Sequence, residues 1–219
     1  MVLNKQELIS GMLKYNTPER KIEYLEVEIR KGLSQELKKD ACVLIAQLYE
    51  SKKWWGNSAK NYQIAADLAV LIPEKMNLLF KTGELYMMAE DYFSSDDYFR
   101  RAMGQASSRE RADMQKKIFS MYLSMAQQYE STKNNTKAIT IYNRILSLPG
   151  YPFSECQKIR DKLIVLYEKI GKPFEANQIR SHIKNQDAMA EKAKQDARQR
   201  LEEAKQQKSN DGFYEIDFG

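Results

Sequence analysis

Few side chains in this sequence are arranged for chemistry. The single histidine, His182, has no Cys, Ser or Asp signature around it that would make it the base of a nucleophilic pair. Cys42 and Cys156 lie far apart, with neither metal-ligand spacing nor the pattern of a disulfide framework. They read as two reduced thiols packed as small apolar residues. No glycine-rich phosphate loop is present. The adjacent carboxylates Asp96 and Asp97 follow two serines, where negative charge suits the start of a helix, a structural role rather than an acid–base pair. The expectation is a non-enzymatic protein with no catalytic residue, no metal and no cofactor.

The elements that carry these residues are helical. Of 219 residues, 42% are apolar and 30% charged, yet only nine are Gly and five Pro, which points to few turns and long helices. No run approaches the roughly 18 apolar residues of a membrane span, and the N-terminus lacks the apolar core of a signal peptide. With the two thiols, this predicts a soluble, cytoplasmic protein. The net charge of +5 is uneven. Residues 111–183 hold twelve basic against six acidic side chains, whereas 209–219 hold three acidic and none basic.

One pattern recurs along the chain. Gly83, Tyr86, Tyr92, Phe99 and Ala102 match Ala46, Tyr49, Trp55, Tyr62 and Ala65 upstream. Downstream, Ala126, Tyr129, Ala138, Tyr142 and Ile145 repeat the pattern, and so do Ile164, Tyr167, Gly171, Ala176 and Ile183. A repeated unit of this length is a helical hairpin that cannot bury its apolar face alone and stacks on its neighbours. Over residues 34–183 the pattern resembles the tetratricopeptide repeat (TPR), a helix–turn–helix unit with a small residue and a Tyr on its first helix and small and aromatic residues on its second. It departs from that family in its longer tyrosine spacings of 37, 43 and 38 residues, in Ser58 where the family has Ala, and in Arg180 where it has an aromatic. The resemblance implies an all-α, right-handed superhelix of TPR-like hairpins.

Boundary signals agree with that reading. Ser34, and Thr17 with Pro18 at the first helical position, are N-terminal helix signals, as is the capping-box spacing of Ser154 and Gln157. Residues 4–14 and 18–31 add a further hairpin, for about five helix pairs. The organisation expected is a repeat domain over 1–183, a charged helical extension over 184–208, and a disordered acidic-aromatic tail over 209–219. In the extension, alanines at 190, 197 and 204 follow Ile183 every seven residues, a seam too small for an ordinary coiled coil.

In TPR proteins the first helices of successive hairpins line a concave groove. Counting from the matched tyrosines, the groove face here takes in Val43, Leu44, Gln47 and Glu50, then Phe80, Lys81, Glu84, Met87 and Met88. It continues with Leu123, Ser124, Gln127 and Glu130, and ends on Lys158, Asp161, Lys162, Val165 and Lys169. Lys158 and Lys162 have the one-turn spacing of the basic end of a TPR carboxylate clamp, but Ser124 and Glu84 stand where the clamp needs amides. The groove therefore reads as apolar and Met-rich in its middle and basic at its end, suited to a peptide or a helical segment.

The tail SNDGFYEIDFG alternates Phe213, Tyr214, Ile216 and Phe218 with Glu215 and Asp217. Burying four such side chains gains about 6–12 kcal/mol, against roughly 11–22 kcal/mol of backbone entropy to order eleven residues. It reads as a short linear motif that needs a receiving surface. The expected function is a protein–protein interaction scaffold or adaptor with a groove and a tail contact. The alternatives are an RNA-binding adaptor using the basic face of 111–183, and a structural subunit that self-associates through its tail. The partner's identity is not written in the sequence.

Overall fold

The computed structural model describes residues 3–148, 150 and 153–211. Ten α-helices account for nearly all of them: α1 (Lys5–Leu13), α2 (Pro18–Arg30), α3 (Gln35–Ser51), α4 (Trp55–Leu68), α5 (Ile72–Met88), α6 (Tyr92–Gln105), α7 (Ser108–Ser131), α8 (Asn135–Ser147), α9 (Phe153–Lys169) and α10 (Pro173–Asp211). There is no strand among the described residues. The fold is an all-α, TPR-like array of helical hairpins, in which α1 to α6 pack in chain order, as do α8, α9 and α10.

The repeat is clearest in its turns. In α3–α4, α5–α6, α7–α8 and α9–α10 the first helix ends in the same way. The carbonyl of the matched tyrosine (Tyr49, Tyr86, Tyr129, Tyr167) accepts the amide five residues on, at 2.8–3.0 Å. The carbonyl one residue further accepts from the residue between, as Glu50 does from Lys53. That residue has left-handed backbone in all four turns: Lys53 (φ 58°), Glu90 (φ 61°), Lys133 (φ 58°) and Gly171 (φ 71°). This is the Schellman arrangement, which satisfies the last carbonyls of a helix while reversing the chain. The next residue then starts the second helix. Asp91 and Asn134 cap α6 and α8 by accepting from the amides of Ser94 and Lys137. The α1–α2 pair turns differently: α2 starts on Thr17, whose hydroxyl caps the helix ahead of Pro18.

Ser34 caps α3 as expected. One other cap assignment is corrected. Helix α9 already begins at Phe153, so Ser154 lies inside the first turn. Helix α6 is capped by Asp91, and Asp96 and Asp97, which the sequence places near a helix start, lie in its second turn, with Asp97 paired with Arg100.

The chain divides into two compact units, Met1–Ile118 and Phe119–Gly219, with the boundary inside α7. In the first, Leu8, Met12, Ile22, Leu25, Ala41 and Ile45 pack α1, α2 and α3 together. Each fully buried Leu or Ile there contributes about 1.5–3 kcal/mol. Ala46, Ala59, Tyr62 and Leu85 continue the core between hairpins. Gly83 lets α6 approach α5: a Cβ there would stand 2.7 Å from the Phe99 ring. In the second unit Tyr122, Ala126, Tyr142, Ile145, Leu163 and Ala176 are buried.

Helix α10 is both the second helix of the last hairpin and the extension. It runs on to Asp211 and takes in the first three residues of the segment that the sequence assigns to the tail. At about 1.5 Å per residue its 39 residues span about 58 Å. Every residue from 187 to 203 is exposed. The tail residues Phe213, Tyr214, Glu215, Ile216, Asp217 and Phe218 lie outside the described residues. No helix among the described residues is long and apolar enough to cross a membrane.

Candidate interaction groove

On the first-helix face of the first unit, α3 and α5 wall a depression of about 750 Å³. Val43, Leu71, Pro73 and Leu78 supply its apolar surface, and Gln47, Asn77 and Lys81 its polar groups. At its rim, the α4–α5 connection presents three consecutive large apolar residues to solvent: Val70, Leu71 and Ile72 are 77%, 67% and 59% exposed. One flank is fixed by Lys39, which is buried but donates to Glu36 (2.6 Å) and Glu74 (2.8 Å). Burial works to lower the Lys39 pKa, and the two carboxylate bonds outweigh it and hold the ammonium above its ordinary value.

Lys81 of the lining belongs to a network of charges. Lys81 bridges Glu50 (2.8 Å) and Glu84 (4.0 Å), and Lys117 bonds the other oxygen of Glu84 (2.7 Å). Lys81 also lies 6.0 Å from the centre of the Tyr62 ring. Burial, and then the hydrogen bond to the Glu50 carboxylate, push the Tyr62 phenol well up.

The second unit rebuilds this arrangement at equivalent positions. Tyr142 donates to Glu130, and Lys162 reaches both Glu130 and the Tyr142 hydroxyl at 3.1 Å while lying 5.5 Å from the ring centre. Burial and Glu130 push Tyr142 up. Lys162 is held up by its bonds to Tyr142 and Glu130 despite partial burial. In both units the glutamate directly follows the matched tyrosine, and the second tyrosine comes twelve residues later. The sequence offered this Glu–Tyr–Lys recurrence, and the pattern of small and aromatic residues masked it. At the corresponding positions the second hairpin carries Met87 and Phe99, so the carboxylate and the phenol are replaced together by an apolar pair.

That exchange corrects the expected groove. Met87 is 1% exposed and belongs to the core. Phe80 is 6% exposed, packed on Phe99 at 5.0 Å between ring centres, with the Lys117 ammonium 4.5 Å above it. Neither side chain offers a surface to a partner, because each gains more by burial between helices. Met88 is 49% exposed, and Lys81 and Glu84 are half-buried members of the network. Leu71, Asn77 and Leu78 line the depression and escape a count made from tyrosine positions, because two of them follow from where α5 begins and the third from the connection before it.

In the second unit, Glu130, Asp161, Lys162, Val165, Leu166 and Lys169 share a depression of about 300 Å³. Gln127 is exposed on α7. Lys158 is exposed and paired with Glu155 on its own helix. Lys169 is exposed and makes no ion pair among the described residues.

No protein-family model matches the chain, and no curated protein matches it significantly. Among solved structures it is similar to BtubC (BKLC) from P. vanneervenii, with 16% identity, a TM-score of 0.33 and coverage of 76% of this chain and 72% of that one. It is also similar to MamA, with 12% identity, a TM-score of 0.37 and coverage of 87% of this chain and 99% of MamA.

Proposed function

We propose that the protein is a non-enzymatic interaction scaffold of the cytoplasm, and that the first-helix face of its first unit receives an apolar segment of a protein partner. The observation that carries this reading is the exposed run Val70–Leu71–Ile72 at the rim of a depression walled by Val43, Pro73 and Leu78. Three consecutive large apolar residues left in water are a liability unless something covers them. The polar groups around the depression favour an apolar anchor over a charged one. Lys81 is already engaged by Glu50 and Glu84, and Lys39 by Glu36 and Glu74. Gln47 and Asn77 are uncharged and exposed, suited to hydrogen bonds with a peptide backbone. The nucleic-acid alternative is weaker, since Lys117, Lys158 and Lys162 of the basic third are each held by a carboxylate.

Affinity co-purification with a Leu71→Asp, Asn77→Arg double variant tests the reading. Both side chains are exposed, so the variant should keep the thermal midpoint of the wild type while losing the partners that the wild type retains. An unchanged set of partners on a folded variant would sink the groove reading.

A further inference from the structure

The first-helix face of the last hairpin differs from that of the first unit. Along α9, Lys158, Lys162 and Lys169 flank Val165, which is 48% exposed beside a depression that also takes in Leu166. Helical spacing puts the three cations about 6 Å and 10 Å apart along one stripe. Asp161 lies beside them, accepting from Gln157 at 3.4 Å. Lys158 is tied only to Glu155 in an exposed pair on the same helix, a contact weak enough to be exchanged. We infer that this stripe receives the acidic-aromatic segment Phe213–Phe218 of a second copy of the chain, joining copies head to tail. The inference rests on reading first-helix faces as recognition surfaces.

Two observations select that occupant. The first is charge and pattern. The segment alternates four large apolar residues with Glu215 and Asp217, and the stripe offers an apolar residue between lysines. Lys162 is held by Glu130 much as Lys81 is held in the first unit. The difference lies at Lys169, which is exposed with no ion pair among the described residues, and at Lys158, whose pair is exposed. Lys39 and Lys81 of the first unit are each held by two carboxylates.

The second is reach. Leu163 of α9 shares a depression with Ile179 of α10, which fixes the antiparallel register and sets Lys158 level with about residue 184. From there to the end of α10 at Asp211 is about 40 Å of helix at about 1.5 Å per residue. Phe213 follows two residues later, and two residues span at most about 7 Å. With α10 intact, the segment is carried away from its own α9 stripe and is presented to another molecule. A contact of this kind is heterologous: each copy has one giving and one receiving surface.

The test uses full-length proteins in sedimentation velocity across a concentration series at low and moderate salt. The wild type is expected to associate with rising concentration, less so at higher salt. A tail variant, Phe213→Ser with Phe218→Ser, and a stripe variant, Lys158→Glu with Lys169→Glu, should each weaken self-association at least ten-fold. An equimolar mixture of the two should form a one-to-one dimer that grows no further, because only one productive pairing of surfaces remains. Circular dichroism checks that both variants keep their helices. A wild type that stays monomeric at all concentrations overturns the inference. So does a mixture that fails to pair, or a stripe variant that associates as the wild type does. Loss of partners in the Leu71→Asp, Asn77→Arg variant with self-association intact would separate the two readings, as would the reverse result.

Discussion

At the scale of single residues, the positions where the second helix of each hairpin meets the first are held by Ser58, Ser95, Ala138 and Ala176, all fully buried. The two serines are not equivalent. Ser58 donates to the Ala46 carbonyl at 2.9 Å and ties α4 to α3, whereas the Ser95 hydroxyl has no hydrogen-bond partner among the described residues. Ser95→Ala is therefore expected to raise stability by about 1 kcal/mol, while Ser58→Ala is neutral or costs up to about 1 kcal/mol. Urea unfolding of the two variants checks the contrast, and equal effects would contradict it. The Glu–Tyr–Lys networks make a separate prediction for pH. Tyr62, Tyr142, Lys39 and Lys162 all have pKa values raised by folding, so the native state holds these protons more tightly than the unfolded chain. Their contribution is complete below the ordinary values of 10.0 for Tyr and 10.5 for Lys, and is lost as pH rises through the raised ones. The urea midpoint should stay level through neutral pH and fall above about pH 10. Tyr142→Phe should make that fall shallower, because it removes one of these ionisations and part of the support of Lys162.

At the scale of elements, the four Schellman turns carry the fold's regularity, and three of them do so with the wrong kind of residue. Left-handed backbone costs an ordinary side chain about 1–2 kcal/mol, and glycine escapes that cost. Glu90→Gly and Lys133→Gly should each gain up to about 1 kcal/mol, the gain being reduced by the greater freedom of glycine in the unfolded chain. Gly171→Ala should lose a similar amount. Thermal unfolding of the three variants tests the sign of each. These turns also show what was legible in the sequence. The small residues and tyrosines stood out, because close helix packing admits few alternatives at Ala46, Gly83 and Ala126. The turn was visible only at Gly171, since Lys53, Glu90 and Lys133 carry no mark of their backbone conformation. Helical counting places Phe80 and Met87 on the outward face of α5, whereas neighbouring side chains cover both. Leu71 and Asn77 depend on how the α4–α5 connection turns, which no periodicity encodes.

At the scale of the whole molecule, the chain combines hairpins stacked side by side within each unit with one helix that runs on past its own hairpin. The first turns of α10 are held by Ala176 in the core and by the pairing of Arg180 with Glu168. From residue 187 to 203 its side chains meet only solvent, apart from surface pairs such as Lys194 with Glu191. A helix of this kind transmits rotation as well as distance. Inserting one alanine after Ala193 would advance the tail by about 1.5 Å and also swing it through about 100° around the axis. Inserting seven residues would move it about 10 Å and bring it back to within about 20° of its starting face. A flexible tether would be indifferent to that phase, whereas a rigid shaft would alternate between productive and unproductive insertions. If self-association oscillates with insert length, α10 orients the tail as well as holding it away from its own α9. A smooth decline with length would reduce it to a spacer.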